Sequence, residues 1–535
     1  MLNLIPLLLA VGAMVAAIRQ MPDLAEDTFI IARYATHVAN GDGYVWNIGE
    51  PPSDGVTELL PMLLAAGLIR LGLDPRTALV AIATVATVCV TIIVSRRVPG
   101  SSRPPSPGAW LLAILVPYCS SLPILSAMGY GTATYCLLLV AGGAVAGRLI
   151  ERFRWHEAAG LGLVMFLAGA ARPEGVLIGG TLVVGLLAVA RRPVLTSFLH
   201  GVCFAAPLAI YLWVRFRYFG DVFPNTYYVK RGAEWLNLAT LSDLGDYWSS
   251  TIAPFALLIL LGVGFADRIA RRTLALIFVV FVVVQYAFLV RFEFIMNWYD
   301  RFEQPVLVMA MFSAGMALDV LYARISETAH LPVRARRGLA AGIAAVMAAY
   351  PVLWTVRHAL TRDPNVQDKT VREDREIAEK LRDYADRGYT MLVSEAGLVP
   401  FVSEWRHIDP YGLTDGAIAR HGLTFARMES EAPEIVMYHA PAYMTGVHQK
   451  KDWFPGWLRM TRTLREFVER ADYDFVGVVP RNGSAESGEH YYVKRSCPDS
   501  DAFKSVIAPY VLSGASIDPP QRQNHQNRNN LPDQP

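Results

Sequence analysis

The chain has 535 residues, of which 53% are hydrophobic and 18% charged, with a formal net charge of +2. A soluble protein of this length carries more charge and spreads its apolar residues periodically, so a soluble globular enzyme is excluded. So small a net charge carries no argument for nucleic acid, and no nucleic-acid partner is expected.

The apolar residues come in blocks long enough to cross the ~30 Å hydrocarbon core of a bilayer. Eleven are candidate spans: 2–18, 77–95, 109–126, 131–148, 156–171, 174–190, 197–216, 251–266, 273–290, 304–322 and 338–354. The first lacks the basic start of a signal peptide and is read as a retained span. A further block, 57–73, contains Pro61 and Arg70. If it does not cross, alternate loops carry the arginines: Arg96, Arg97 and Arg103, then Arg148, Arg152 and Arg154, then Arg191 and Arg192, then Arg268, Arg271 and Arg272, then Arg324 to Arg337. The positive-inside rule places all of these in the cytoplasm, with the N-terminus. Block 57–73 then lies along the outer interface, or dips in and returns.

On this topology the outer segments are 19–76, 127–130, 172–173, 217–250, 291–303 and everything after 355. They hold the unusual polar sequence. The first opens with Glu26-Asp27 ahead of "TFIIARYATHVAN". Asp27 could be a helix N-cap. It could equally be a general base whose basicity rises with partial desolvation at the membrane surface. Arg33, His37 and Asn40 share one stripe of the helix that follows, opposite an apolar face. In "GDGYVWNIGE", Trp46 and Asn47 offer an indole beside an amide, suited to gripping a sugar or anchoring at the interface. In "ARPEGV", Pro173 and Glu174 start a helix well, while Arg172 is a charge needing a partner or a role. In "RYFGDVFPNTYYVK", Asn225, Tyr228 and Lys230 stand together, and a cation beside hydroxyls suits a phosphate. Arg301 is a second candidate phosphate ligand, or an ion-pair partner of Asp300 or Glu303.

Near His358 the composition turns polar. A helix over 372–388 and buried strands in 389–397, 433–440 and 474–480 predict an α/β domain over 358–510. The tail, 511–535, is Pro-, Asn- and Gln-rich and reads as disordered. The five cysteines form no CxxC or Cys/His cluster that would mark a structural metal.

Together "EDTFIIARYA", "GDGYVWNIGE", "DGVTELL", "ARPEGV" and above all "RYFGDVFPNTYYVK" resemble the GT-C superfamily of polyprenyl-phosphate-dependent glycosyltransferases. The nearest branch is the terminal arabinofuranosyltransferases of the mycobacterial cell wall and their bacterial relatives. The resemblance covers roughly residues 20–305. It implies a polytopic α-helical membrane protein with a GT-C-like core over 1–357, about 11 spans and outer juxtamembrane helices, joined to a small C-terminal α/β extracytoplasmic domain. It implies a bacterial inner membrane location, an outward-facing active site and a partner set of lipid bilayer, polyprenyl-phosphate sugar donor and glycan or glycoprotein acceptor. Carried over, the catalytic acid is Asp27 with Glu26 beside it. Lys230, Arg301, Arg172 and Tyr228 would hold the donor phosphate. Trp46, Asn47, Asn225, His37 and Glu174 would contact sugar or acceptor. Some members use a divalent cation and others do not, so no cofactor is assigned and a divalent cation stays open. Relatives often carry Glu in a "GLET"-like motif, where this chain has "GYGT" with Gly131. The expected reaction is inverting transfer of a sugar, arabinofuranose first, with mannose, glucose or aminoarabinose as alternatives. A lipid-linked sugar flippase is the competing class, weakened by sparse mid-span charge (Asp319 is the main example) and no inverted repeat.

Overall fold

A computed structural model describes residues 4–96, 107–230, 238–292, 294, 296–328, 338, 342, 364–440, 455–481 and 484–512. Among these, six helices are long and apolar enough to cross a membrane: Pro75–Ser95, Thr132–Glu151, Pro193–Phe219, Thr240–Phe265, Arg268–Leu289 and Gln304–Ile325. Ile5–Gln20, Trp155–Ala171 and Glu174–Val189 are apolar but shorter. In chain order the helices are α1 (Ile5–Gln20), α2 (Glu26–Asn40), α3 (Leu59–Arg70), α4 (Pro75–Arg96), α5 (Pro107–Cys119), α6 (Leu122–Ala127), α7 (Thr132–Glu151), α8 (Trp155–Ala171), α9 (Glu174–Val189), α10 (Pro193–Phe219), α11 (Asn225–Lys230), α12 (Leu238–Tyr247), α13 (Ala253–Phe265), α14 (Arg268–Ile277), α15 (Gln285–Leu289) and α16 (Gln304–Thr328). Single π-helical stretches join α12 to α13 and α14 to α15. Helix α10 shows how the ends are set. Proline begins it, where the missing N–H costs nothing, and Gly220 ends it in the left-handed region at φ 75°. Its outer face leaves Phe198, Val202, Ile210 and Trp213 exposed, as a lipid-facing helix does.

The arginine-bearing turns gather at one end of the bundle. The Arg191 N–H donates to Leu149 O at 3.0 Å, and Arg324 Nε to Phe265 O at 3.0 Å. At the other end lie α2, α3, α11 and the C-terminal unit.

Three expectations need correction. Block 109–126 is not one helix: α5 ends at Cys119 and α6 begins at Leu122. Pro123 cannot donate to a continuing helix, and the N–H of Ser121 turns instead to Gln304 Oε1 at 3.0 Å. Asp27 is not the N-cap of α2. Ala25 takes that place, with ψ 155°, and Glu26 and Asp27 occupy the first turn. Nor does α2 divide into a polar and an apolar face as its pattern suggested, since Arg33 and His37 are buried along with Phe29, Ile30 and Tyr34, and of that stripe Asn40 alone is exposed. Helix α3, with 12 residues, spans about 18 Å and is too short to cross a bilayer by itself. Span 338–354, apart from 338 and 342, and tail residues 513–535 lie outside the described residues.

The C-terminal unit is built on a five-stranded sheet of order β2-β1-β3-β5-β4. Strand β1 (Thr390–Val393) pairs parallel with β2 (Arg406–Ile408) and β3 (Ile435–Ala440). Strand β5 (Ser484–Lys494) pairs antiparallel with β3 and β4 (Tyr473–Arg481). Strands β1 and β3 are buried along their whole length, which is why they are mostly apolar. One hydrophobic cluster is continuous from α2, α3 and α4 (Phe29, Ile31, Met62, Leu79) into the sheet unit (Leu381, Met391, Val393, Trp405, Phe503). This shared core fixes the sheet unit against α2, and α2 carries the acids.

Candidate functional site

Helix α2 delivers Asp27, and the turn before α16 delivers Arg301. Their side chains pair at 2.5 Å. The Arg301 guanidinium lies over the Tyr130 ring at 4.5 Å and the Phe302 ring at 4.8 Å. Two further cations converge on Phe302: Arg172 at 5.3 Å, from the α8–α9 link, and Lys230 at 5.8 Å, from the end of α11. Arg172 pairs with Glu174 at 2.8 Å and also donates to Arg301 O at 3.2 Å. Segments remote in sequence thus bring Arg172, Lys230 and Arg301 around one phenyl ring, with Asp27 and Glu174 paired to two of these cations.

Two donors here have no partner among the described residues. Arg301 Nε and the Tyr130 hydroxyl are both buried and unbonded, and Arg301 itself is only 6% exposed. Buried donors of this kind are costly unless something accepts from them. Burial also pushes the Tyr130 pKa up, so the hydroxyl stays a neutral donor. Burial pushes Lys230 down to about 8, against the pull of Asp27 and in concert with Arg301 and Arg172. An incoming anion would reverse that depression and satisfy the orphaned donors. The arrangement is a desolvated cation cluster with a carboxylate at its edge, a chemistry suited to an anion.

Glu58 is a member of this site that the sequence reading did not assign. Its carboxylate accepts from the Gly131 N–H at 2.8 Å and is buried. Burial raises its pKa, with Arg172, the Gly131 N–H and Arg301 opposing. A Cβ on Gly131 would lie 2.5 Å from Pro61 Cγ and 2.8 Å from Glu58 Oε2. There is no room for a larger side chain at 131, and the carboxylate beside it comes from position 58 instead. The available signal was a lone acid immediately before an apolar block. Tyr130 and Phe302 carried no signal, because an aromatic residue at a membrane surface is ordinary.

The structure sends the remaining expected residues elsewhere. Glu26 turns away from Asp27 and accepts from the N–H groups of Gly397 (2.6 Å) and Leu398 (3.2 Å). The Tyr228 hydroxyl donates to Asp221 at 2.7 Å, an acid also held by Arg420 at 3.1 Å. Trp46 donates from Nε1 to His407 Nδ1 at 3.0 Å. Asn47 accepts from the His407 N–H at 3.0 Å and donates to His407 O at 2.9 Å. His37 bonds through Nδ1 to Val45 O at 2.9 Å, and Asn225 donates to Ser53 at 3.1 Å. Trp46 and Asn47 therefore clasp the first loop to the sheet unit. Among the described residues, no group of three or more His, Cys, Asp or Glu is arranged to hold a metal ion. No step below is routed through one.

Comparison with known proteins gives the following. A family model described as Domain of unknown function (DUF8728) matches residues 361–493. No curated protein matches the sequence. Among solved structures, ArnT from Cupriavidus metallidurans bound to undecaprenyl phosphate aligns with TM-score 0.52 and 13% identity over 90% of this chain and 96% of that one. ArnT in the apo state gives 0.52 and 13% over 94% and 98%. The archaeal oligosaccharyltransferase AglB from Archaeoglobus fulgidus, in complex with an inhibitory peptide and a dolichol-phosphate, gives 0.54 and 10% over 92% and 75%. The chain shares its overall fold with these solved proteins.

Proposed function

We propose that this protein is an inverting glycosyltransferase that takes a sugar from a polyprenyl-phosphate donor and passes it to an extracytoplasmic glycan or protein. The observation that carries this is the convergence of Arg172, Lys230 and Arg301 on Phe302 beside Asp27, with unsatisfied donors on Arg301 and Tyr130. Solved proteins of this fold bind polyprenyl phosphates: undecaprenyl phosphate in ArnT and dolichol-phosphate in AglB.

Without donor, Arg301 is occupied by Asp27. A bound phosphodiester competes for the guanidinium and loosens that pair, leaving the carboxylate to accept a proton. The acceptor oxygen attacks the anomeric carbon, its proton passes to Asp27, and the bond from that carbon to the phosphate oxygen breaks. Charge growing on the departing polyprenyl phosphate is met by Lys230, Arg301 and Arg172. A single displacement inverts the anomeric centre. The sheet unit and the site share one side of the membrane, the outer one by the arginine pattern, in a bacterial inner membrane. The resemblance favours arabinofuranose as the sugar, with aminoarabinose, mannose or glucose as the donors to set against it. Reconstituted protein assayed with a panel of polyprenyl-phosphate sugars tests both levels. Transfer from one donor that is lost in Asp27→Asn supports the reading, and transfer undiminished in that variant overturns it.

A further inference from the structure

We infer that the C-terminal unit is a positioning device for the catalytic helix: its 396–405 segment grips α2 at Glu26, Phe29 and Arg33, and that grip sets where Asp27 stands. This rests on the functional reading above.

Three contacts run along one stripe of α2. Glu26 accepts from Gly397 N at 2.6 Å and from Leu398 N at 3.2 Å. One turn on, the rings of Phe29 and Phe401 lie 5.5 Å apart. One turn further, Arg33 donates to Pro400 O at 2.7 Å and Trp405 O at 3.0 Å. Residues 26, 29 and 33 share a helix face, so the segment holds α2 along two turns rather than at a point. Asp27 is the next residue round the helix and reaches Arg301 on the other side. Any rotation of α2 that loosened the grip would swing Asp27 against the cation cluster.

The approach of the two chains is close enough to demand glycine. A Cβ on Gly397 would lie 2.0 Å from Glu26 O, a backbone atom that can move only if α2 moves. Sheet groups also face Glu26: Glu395 from the turn after β1, Arg481 from the end of β4 and Asp374 from the helix Pro364–Arg382, with Tyr130 nearby on the bundle side. Burial and then Glu395 push Glu26 up to about 8, against Arg481 and the two N–H groups. At neutral pH the group is mostly the neutral acid, and its carbonyl oxygen is the acceptor. A glutamine carries the same acceptor. Glu26 is therefore a positioning residue, and its proton takes no part in transfer.

The test compares full-length wild type, Glu26→Gln, Glu26→Ala and Gly397→Ala in lipid nanodiscs, by transfer kinetics against pH and by amide hydrogen exchange of α2. Glu26→Gln should stay within about 2-fold of wild type in kcat at neutral pH, while Glu26→Ala and Gly397→Ala lose roughly 10- to 100-fold, as a misplaced group does. Donor KM should stay within about 3-fold in all of them, because the cations are untouched. Exchange of α2 should quicken in the last two variants. A Glu26→Gln variant as inactive as Glu26→Ala, a loss confined to KM, or Gly397→Ala with wild-type kcat and α2 exchange would each overturn the inference. Should Gly397→Ala fail to fold, Glu26→Ala, which only removes atoms, carries the test. If the wild type transfers no sugar, the functional reading falls by itself, and unchanged α2 exchange in Glu26→Ala then decides against the grip.

Discussion

Two buried arginines of this protein make opposite use of the same side chain. Arg33 sits in the clasp between the first loop and the sheet unit. Its donors are taken by Trp46 O (3.0 Å), Pro400 O (2.7 Å), Trp405 O (3.0 Å) and Asn47 Oδ1 (3.2 Å). No carboxylate bonds to it, and burial pushes its pKa down to about 10. Arg301 is equally buried, yet it gives one donor to Asp27 and leaves Nε unbonded. Burial and charge alone would not tell the two apart. Their partners do: backbone and amide oxygens fill four of the five N–H groups of Arg33, whereas Arg301 faces a carboxylate and its Nε has no partner among the described residues.

That contrast can be broken most directly at the acid. Asp27→Asn should lower transfer by roughly 10²- to 10⁴-fold with the fold intact, read as sugar transfer and thermal melting side by side. Lys230→Met or Arg301→Gln should lower kcat by about 10²-fold, because the proposed reaction uses each against the charge on the leaving phosphate. Isothermal titration with a short polyprenyl phosphate should show weaker binding in both. Arg33→Ala should act on stability instead, by about 3 kcal/mol, because it leaves the Trp46, Pro400 and Trp405 carbonyls without a donor. A melting temperature unchanged by Arg33→Ala would remove the distinction drawn between the two arginines.

The smallest effect concerns pH. A Glu26 carboxyl with its folded pKa raised to about 8 holds its proton where the undocked group, at its ordinary value of 4.5, has already lost it. Between those values the docked state binds more protons, so docking is strongest below the lower value and weakens as pH rises toward the upper one. Amide protection at 397–398, taken relative to the base-catalysed intrinsic exchange rate, should therefore fall between pH 5 and pH 8, roughly as that linkage requires, and Glu26→Gln should flatten the trend. A wild-type trend of the opposite sign would show that Glu395, Asp374 and Arg481 dominate the interface.

Much of the bundle was legible because bilayer crossing is a property of one helix: enough apolar residues in a row satisfy it with no partner. Helices α4, α7, α10 and α16 each fall on a block read from the sequence. The 109–126 block was misread as continuous because hydropathy averages over Pro123, whereas the backbone cannot. Strands β1, β3 and β4 lie within or around the apolar runs at 389–397, 433–440 and 474–480. Strand β2 has three residues and β5 is polar at its start, so neither had a pattern to find.

At the site, the sequence by itself determined that Asp27, Arg172, Lys230 and Arg301 fall in segments of one side, since topology follows from the alternation of apolar and arginine-bearing stretches. Only the tertiary structure decided which residues of those segments meet. It closed Trp46, Asn47 and His37 into a clasp, aimed Glu26 and Tyr228 at other partners, and brought Glu58 beside Gly131. The reason is that membrane topology is set by each segment's own transfer energy, whereas a site is a set of contacts between loops distant along the chain. Which donors in those loops remain unfilled depends on the neighbours each side chain acquires when the bundle closes.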